Sequence, residues 1–401
     1  MPTPLPSYDV VARRRPVDLV RPGPVRAPYA ATRGRGTLTL ASGSTSITCD
    51  DSVALHVTRD GRTTTLRSRR HGRPQAPVDE LALTLTARQV TAFALEAGRW
   101  VARARHDLDD SVPVHDEGWL AGLEASAGLG RFGQVGLRDL RVVTHADGSP
   151  WLEEDRWLLT ATSAGPGGFT TGHTSVWSLD PETLELAHRA DLFVRRDGGV
   201  YGDHAVHLVR DAGRWLLAAS TWGDFEPRLR PVRTVLATSE DDLTTGVHVL
   251  DAAPLTLPTD GLRSVGVWDP HLVRCDDEWL VAYVSARKYF RFHPVVATGP
   301  TLDDLTLRAA ASRLRETEGS TLAHVDGRWR VLASDTRRQA YPVLDLDLRE
   351  VATLDAAYVS NIPWPTLLDD LVVGFDGTTW GGPLLAYGTH GDVVIQRARR
   401  G

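Results

Sequence analysis

Three acidic residues that are far apart in the sequence each stand near the beginning of a short strand-like segment. Asp139 lies in RDLRVV, Asp269 in WDPHLV and Glu318 in EGSTLA. Such a set suits hydrolysis, in which a protonated carboxylic acid donates to a leaving oxygen and an ionised carboxylate activates water. A neighbouring carboxylate keeps the acid protonated, because two like charges resist simultaneous ionisation. This chemistry requires a fold that brings the three residues together.

The segments around these acids belong to a repeat. Each copy reads as a strand, an Asp or Gly turn, an aromatic residue and a second strand, as in DPHLVRCDDEWLVAYVS and GDHAVHLVRDAGRWLLAAST. The anchoring tryptophans are Trp157, Trp215, Trp279, Trp329 and Trp380, at successive gaps of 58, 64, 50 and 51 residues. Two further strand-like pieces complete a unit, and four short strands per unit are typical of propeller blades. We therefore predict an all-β protein with a five-bladed β-propeller over 136–401; the alternative is a sandwich whose strands repeat by chance.

The remaining sequence predicts three further segments. Residues 1–35 are rich in proline and arginine and are interpreted as an N-terminal arm. Residues 36–115 alternate polar and apolar side chains and contain the turn RDGR, which predicts hairpins of a small β-sandwich-like accessory domain. Residues 116–135 are interpreted as the connector to the propeller.

The blade topology predicts which residues meet. The first strand of a blade lines the central channel, and the chain reverses at every turn. The start of strand one and the loop after strand two therefore share one face. Aligning the units places Asp139 level with Asp269, and Glu318 one position earlier. The equivalent residue of the second unit is Ala205, with Asp203 two positions before it as a possible fourth carboxylate.

These motifs resemble the catalytic triad of the family 43 glycoside hydrolases and their five-bladed relatives. The resemblance rests on an Asp at the channel mouth in blade one, an Asp-Pro in blade three and a Glu-Gly in blade four. It implies that Asp139 is the general base, that Asp269 orients and tunes the acid, and that Glu318 is the general acid. Two residues depart from the family pattern: Leu140 and Ser320 stand where prolines are usual.

Further residues of the same face are candidates for substrate binding. Aromatic side chains offer flat apolar surfaces to a sugar ring, and basic groups suit hydroxyls or an anionic group. The repeat-equivalent His207 and His271 favour a structural role that bridges blades, although His271 beside Asp269 could also contact substrate. The predicted substrate-binding residues are Asp203, His204, His271, Trp222, Arg287 and Trp364.

Composition excludes several classes of partner. The formal charge of −6 gives no general attraction to nucleic acid or anionic lipid, and no apolar run is long enough to span a membrane. The two cysteines, Cys49 and Cys275, have no metal-ligand spacing, and the N-terminus does not read as a signal peptide. We expect a cytoplasmic protein without a cofactor; a structural calcium ion is possible but is not predicted.

The function predicted from the sequence is that of a glycosidase. It is expected to be inverting and to cleave arabinose- or xylose-type bonds in small oligosaccharides or small glycosides. The alternative is a non-hydrolytic carbohydrate-binding propeller, or an enzyme repurposed for another sugar-like metabolite, since a fold does not determine a function. Retaining fructoside chemistry is less favoured, because neither an Asn-Asp-Pro-Asn opening nor a Glu-Cys acid motif is present.

Overall fold

The N-terminal part of the chain forms a sandwich of two antiparallel β-sheets. The computed structural model describes residues 5–25, 28–359, 362–385 and 387–399. One sheet contains, in spatial order, Glu124–Ala125, Leu38–Ser42, Thr45–Cys49, Leu55–Arg59 and Arg62–Leu66. The other contains Arg99–Asp107, Gln89–Glu96, Val78–Thr86, Tyr29–Gly34, Leu129–Arg131 and Arg21–Pro22. Leu40 and Ile47 of the first sheet pack on Leu83 and Val90 of the second in one buried core.

The described residues after the sandwich, together with Tyr8–Arg14, build five four-stranded antiparallel blades, and this confirms the predicted propeller. The outer strands of blades one and two also pair with each other, in parallel. Blade one consists of Leu137–Val142, Arg156–Ser163, His173–Leu179 and Leu186–Arg196. Blade two consists of His204–Asp211, Arg214–Ser220, Thr234–Ser239 and Gly246–Pro254. Blade three consists of Gly266–Cys275, Glu278–Lys288, Arg291–Gly299 and Thr306–Ala310, and blade four of Thr317–Val325, Arg328–Asp335, Tyr341–Leu344 and Glu350–Leu354.

Blade five is completed by the N-terminus of the chain. The C-terminal part of the chain supplies three strands of this blade: Thr366–Leu368, Leu371–Asp376 and Asp392–Ala398. The fourth strand is Tyr8–Arg14, which pairs antiparallel with Asp392–Ala398. This pairing closes the ring between the two ends of the chain and satisfies backbone groups that an edge strand would leave open. The strand lies inside the segment 1–35 that was interpreted as an arm.

Shorter elements join the two parts. The segment 116–135, interpreted as a connector, contains the helix Glu117–Ala121, and its two short strands pair within the sandwich sheets. Single turns of 3₁₀ helix lie at Phe169–Thr171 and Tyr387–Thr389. The remaining short strands are Thr144–His145, Leu152–Glu153 and Gly199–Tyr201. Within the described ranges, no helix combines the length and apolar character needed to cross a membrane.

The tryptophan repeat holds in four blades and fails in the fifth. Trp157, Trp215, Trp279 and Trp329 are each the second residue of a second strand, and the first three are buried. The prediction that Trp380 is the fifth anchor was wrong. It lies beyond the strand Leu371–Asp376, with its ring 5.9 Å from that of Phe93 in the sandwich. Val372 takes the anchoring position instead, because the turn of blade five comes earlier, at 369–370.

Candidate functional site

All five blades share an unusual backbone conformation at the start of the chain segment that lines the axis. The residues Asp139, Ala205, Asp269, Gly319 and Trp364 have positive φ angles of 53°, 58°, 58°, 71° and 44°. In blades one to four the pairing register shifts at this point, which is the mark of a β-bulge. A bulge bends the strand and re-aims the side chain. The fold therefore offers the same position five times at one end of the channel.

The bulge explains why the acid of blade four stands one residue earlier than the other two. A Cβ added to Gly319 would lie 2.5 Å from Cδ1 of Trp364, so no side chain fits there. Glycine also adopts the positive φ without the steric penalty of other residues. The carboxylate of this blade is therefore supplied by Glu318, whose longer side chain spans the offset. The bulge also forms at Leu140 and Ser320, so the missing family prolines do not prevent it.

The three acids meet at one cavity of about 530 Å³, which we call the axial cavity. Asp139, Asp269 and Glu318 form its floor together with Arg138 and His204. Aromatic side chains make up most of the remaining wall: Phe169, Trp222, Phe225, Trp268, Tyr289, Phe290, Phe292, Trp364, Phe375 and Tyr387. The loops after the second strands of all five blades contribute residues to its lining. The predicted face is thus the face on which the carboxylates lie.

Glu318 is the carboxyl group whose surroundings favour the protonated form. Burial, with the negative charge of Asp139 nearby, raises the pKa of Glu318 to about 8, against the opposing hydrogen bond from Trp268. That bond joins Trp268 Nε1 to Glu318 Oε2 at 3.0 Å. No basic side chain within the described ranges is within ion-pair distance of Glu318. The group therefore keeps its proton near neutral pH.

Asp139 lies beside two buried cations. Burial raises the pKa of Asp139, and the positive charges of Arg138 and Arg141 oppose that increase. The Nε atom of Arg138 is 3.5 Å from Asp139 Oδ2. His204 lies on the other side, with Nδ1 4.0 Å from the same oxygen. A negative charge on Asp139 is therefore compensated by nearby positive charges, whereas a negative charge on Glu318 is not.

His204 is held as a neutral hydrogen-bond acceptor. Burial lowers the pKa of His204 well below its usual range. Its Nε2 bonds the carbonyl oxygen of Phe169 at 3.0 Å, so the single N–H of the neutral ring lies there. Nδ1 is then a free acceptor, and it has no hydrogen-bond partner; neither does Nη2 of Arg138. One donor and one acceptor, both buried, thus remain open on either side of Asp139.

Asp269 is placed to orient the acid. Burial, and next the negative charge of Glu318, raise the pKa of Asp269 well above its usual range. Its Oδ2 accepts the backbone N–H of Gly319 at 3.3 Å, and Gly319 directly follows Glu318. The backbone N–H of Asp269 itself donates to Ser220 Oγ at 2.9 Å. Asp269 therefore fixes the position of Glu318 through the backbone of Gly319. The two carboxyl groups are also close enough that the charge of Glu318 changes the pKa of Asp269.

The channel below the carboxylates is filled by the residues two positions after each bulge. Arg141 is fully buried and donates to the carbonyl oxygens of Ser320 at 2.9 Å and Asp269 at 3.1 Å. Its guanidinium lies 4.7 Å from the centroid of the Trp364 ring. The rings of His207 and His271 stack at 3.8 Å. These contacts join side chains and backbone of all five blades at the axis.

A calcium ion does not fit this axis. Calcium requires six to eight oxygen ligands, but the carbonyl oxygens of Asp269 and Ser320 already accept hydrogen bonds from Arg141. Burial lowers the pKa of Arg141 to about 10, so its guanidinium stays charged near neutral pH and repels a cation. Among the described residues, no group of three or more His, Cys, Asp or Glu side chains is arranged to hold a metal ion.

The predicted substrate-binding residues divide into two groups. His204, Trp222 and Trp364 line the axial cavity. The other three lie elsewhere. Asp203 is completely buried in an ion pair with Arg196, His271 is stacked in the channel below the floor, and Arg287 is exposed outside the lining.

Sequence reasoning missed the two arginines that flank the predicted base. In RDLR, Arg138 directly precedes Asp139, and Arg141 stands two residues after it. Alignment of the repeats contained the signal for Arg141, because it occupies the position of His207 and His271, which had been recognised as equivalent. Tyr387 and His390 also line the cavity, and they come from a loop of blade five that no repeat matches.

Comparison with known proteins gives structural matches alone. No protein-family model and no curated protein matches the sequence. Similar solved structures include a family 32 β-fructofuranosidase of Bombyx mori, with 12% identity over 66% of this chain and a TM-score of 0.46; the match spans 60% of that protein's length. They also include an α-L-arabinanase of Penicillium chrysogenum complexed with arabinobiose (11% identity, 99% of each chain, TM-score 0.40). A Bacillus subtilis arabinanase is similar at 13% identity over 66% of this chain and 94% of its own, with a TM-score of 0.42.

Proposed function

We propose that the protein is a glycoside hydrolase that cleaves arabinose- or xylose-type bonds in small glycosides, including short oligosaccharides, with inversion. The observation that supports this most directly is the contrast within one cavity. Glu318 has a pKa raised to about 8 and no ion-pair partner, whereas Asp139 lies next to Arg138 and Arg141. Carboxyl groups in environments that differ in this way divide the acid and base roles between them.

The roles follow from this contrast. Glu318 donates its proton to the leaving oxygen, while the Asp139 carboxylate removes a proton from the water that attacks the sugar. Asp269 holds Glu318 through the backbone of Gly319. Arg138 Nη2 and His204 Nδ1, the open donor and acceptor beside Asp139, bind a hydroxyl of the sugar ring. We place this activity in the cytoplasm, which favours short imported glycosides over polymers.

The test is turnover of a panel of nitrophenyl furanosides and pyranosides, followed by the Glu318→Gln variant on the active sugar. We expect the variant to lose about 10²–10⁴-fold in kcat/KM on a disaccharide, the range that general acid–base catalysis contributes. The loss should be smaller on the nitrophenyl glycoside, because nitrophenolate leaves with little need of a proton. Glu278→Gln is the matched control, since Glu278 is exposed at the start of the second strand of blade three.

Two results would contradict the proposal. Equal turnover by Glu318→Gln and the unaltered protein would remove Glu318 from the acid role. Sugar binding without turnover in the unaltered protein would favour the alternative, a non-hydrolytic carbohydrate-binding propeller.

A further inference from the structure

The opening of the axial cavity is surrounded by aromatic side chains that the fold leaves exposed. Phe290 is 80% exposed, Tyr387 49% and Phe169 39%. With Phe225 and Pro227 they line the cavity, and we call these five residues the collar. The rings of Phe169 and Phe225 pack against Trp222, at centroid distances of 4.7 and 5.0 Å. Large apolar side chains grouped in the open around one cavity are typical of a binding surface.

Phe290 is the residue that the fold itself explains least. It is the second residue of the two-residue turn between Glu278–Lys288 and Arg291–Gly299. Neither Tyr289 nor Phe290 has the positive φ for which many two-residue turns need glycine or asparagine, so the turn leaves the choice of side chain open. A phenylalanine at this tip has few neighbours within its own chain and remains open to solvent. Its apolar surface becomes buried only when another molecule occupies the opening.

Unpartnered hydrogen-bonding groups lie beside the carboxyl groups at the floor of the cavity, and the wall adds Glu316 and the Tyr289 hydroxyl. The unpartnered atoms at the floor are Arg138 Nη2 and His204 Nδ1. Among the collar side chains, Phe169, Phe225, Pro227 and Phe290 offer neither donors nor acceptors, and Tyr387 offers one hydroxyl. A sugar ring can stack on an aromatic face, but its hydroxyls lose free energy when they are buried without partners. The floor therefore suits one sugar ring, and the collar suits an apolar group attached to it.

We propose that the substrate is a glycoside with an apolar aglycone, aromatic or alkyl, whose sugar occupies the floor and whose aglycone lies against the collar. This inference rests on the proposed glycosidase function and narrows its substrate class. The cavity, at about 530 Å³, is within the range of pockets that enclose drug-sized ligands and exceeds what one pentose ring fills.

A neighbouring cleft provides the alternative path for a leaving group. It has a volume of about 1100 Å³, lies between the sandwich and blades one and two, and shares Phe225 with the axial cavity. Charged side chains of both signs line it: Arg88, Arg105, Asp107, Arg196, Asp224 and Glu226. A hydroxyl-rich oligosaccharide would find its hydrogen-bond partners in this cleft. The relative turnover of alkyl glycosides and oligosaccharides therefore separates the two paths.

The experiment uses methyl, butyl and hexyl α-L-arabinofuranosides and β-D-xylopyranosides, with arabinotetraose and xylotetraose for comparison. The alkyl series keeps the chemical reactivity of the leaving group nearly constant, so changes in kcat/KM report burial of the chain. We expect about a threefold increase per methylene that reaches the collar, below the fourfold that complete burial would give. A flat alkyl series, or tetrasaccharides cleaved faster than the hexyl glycoside, would overturn the inference.

Phe290→Ser tests the collar itself. This change removes an exposed ring at a turn, so the fold should not depend on it. The ratio of hexyl to methyl kcat/KM should fall by about threefold to tenfold, the equivalent of one or two buried methylenes. Val351→Ser is the matched control, because Val351 is 50% exposed on the outer strand of blade four, away from the cavity. Its ratio should equal that of the unaltered protein, and an equal drop in both variants would contradict the collar.

Binding distinguishes failure of this inference from failure of the proposed function. Quenching of tryptophan fluorescence reports the alkyl glycosides directly, since Trp222, Trp268 and Trp364 line the cavity. Affinity that rises with chain length in a protein without turnover would support the collar and refute hydrolysis. Turnover with a flat series would support hydrolysis and refute the collar. If neither the arabinofuranosides nor the xylopyranosides are bound or turned over, both proposals are overturned.

Discussion

Blades two and three begin with nearly the same sequence, HAVHLVR and DPHLVR, and the same backbone. Ala205 and Asp269 both have a φ of 58°, and the histidines two residues later stack on each other at 3.8 Å. The difference lies in where each blade places its carboxylate. Blade three has Asp269 on the bulge, facing the cavity, whereas blade two has alanine there and Asp203 two residues earlier.

The two aspartates are both buried, but their hydrogen-bond partners differ. Asp203 accepts two bonds from Arg196, at 2.6 and 2.9 Å, and a third from the backbone of Gly223 at 3.0 Å. Asp269 accepts one long backbone bond and faces another carboxyl group, Glu318. Burial raises the pKa of Asp203, and the donors around it oppose that increase, so this carboxylate is held in a structural ion pair. Asp269 has an incomplete set of donors and lies next to a second acid, so its ionisation is linked to that of Glu318.

The largest effect is expected at Asp269. Asp269→Asn keeps an acceptor for the backbone N–H of Gly319 and removes the ionisable carboxyl group that faces Glu318. Loss of the electrostatic role should reduce kcat/KM on a disaccharide by about 10²-fold or more. The Tm should change little, because the hydrogen bond to Gly319 is retained. Activity within a few-fold of the unaltered protein would show that the bulge position, despite its geometry, does not orient the acid.

Asp203→Asn should have the opposite profile. Removing one charge from a buried ion pair leaves Arg196 without its main partner and destabilises by about 3–5 kcal/mol. The remaining bond from Arg196 to Asp224, at 2.6 Å, keeps the loss toward the lower end of that range. Thermal unfolding measures the decrease in Tm, and turnover per folded molecule should be largely retained at low temperature. A stable but inactive variant would place Asp203 in the site instead.

This contrast also shows which parts of the molecule the sequence could predict. Repeat spacing predicted the blades and the meeting of Asp139, Asp269 and Glu318, because side chains at equivalent strand positions share one face. The pairing of Asp203 could not be read in the same way. Arg196 is only seven residues away, but whether it turns toward Asp203 depends on the hairpin between them.

The closing strand of blade five could not be predicted from the sequence for a different physical reason. Tyr8–Arg14 belongs to no repeat, because it completes a unit whose other strands lie at 366–398, near the opposite end of the sequence. Its pairing consists of backbone hydrogen bonds, which any sequence of extended residues can form. Alternate side chains give little signal either, since several apolar ones, such as Val10 and Val11, remain exposed.

The smallest expected effect, on the pH dependence of stability, sharpens the same comparison. The pKa of Glu318 is raised from 4.5 to about 8 in the folded protein. Between these values the native state holds a proton that the unfolded chain has lost, so the free energy of unfolding falls as pH rises. Below pH 6.5 the buried histidines, whose pKa values are lowered, have the opposite sign. The effect of Glu318 should therefore be clearest between about pH 6.5 and 8.

Comparison with Glu318→Gln removes this contribution, together with the part of the Asp269 pKa shift that the charge of Glu318 causes, because glutamine does not titrate. In that window the unaltered protein should lose up to about 1.4 kcal/mol of stability per pH unit more than the variant. Chemical denaturation at pH 6.5, 7.2 and 8.0 measures both slopes, and Asp203→Asn at the same pH values is the control in which the Glu318 slope persists. Parallel slopes for the unaltered protein and Glu318→Gln would mean that Glu318 is already ionised at neutral pH. The contrast between a carboxylate held by donors and one held protonated would then no longer separate blade two from the catalytic face.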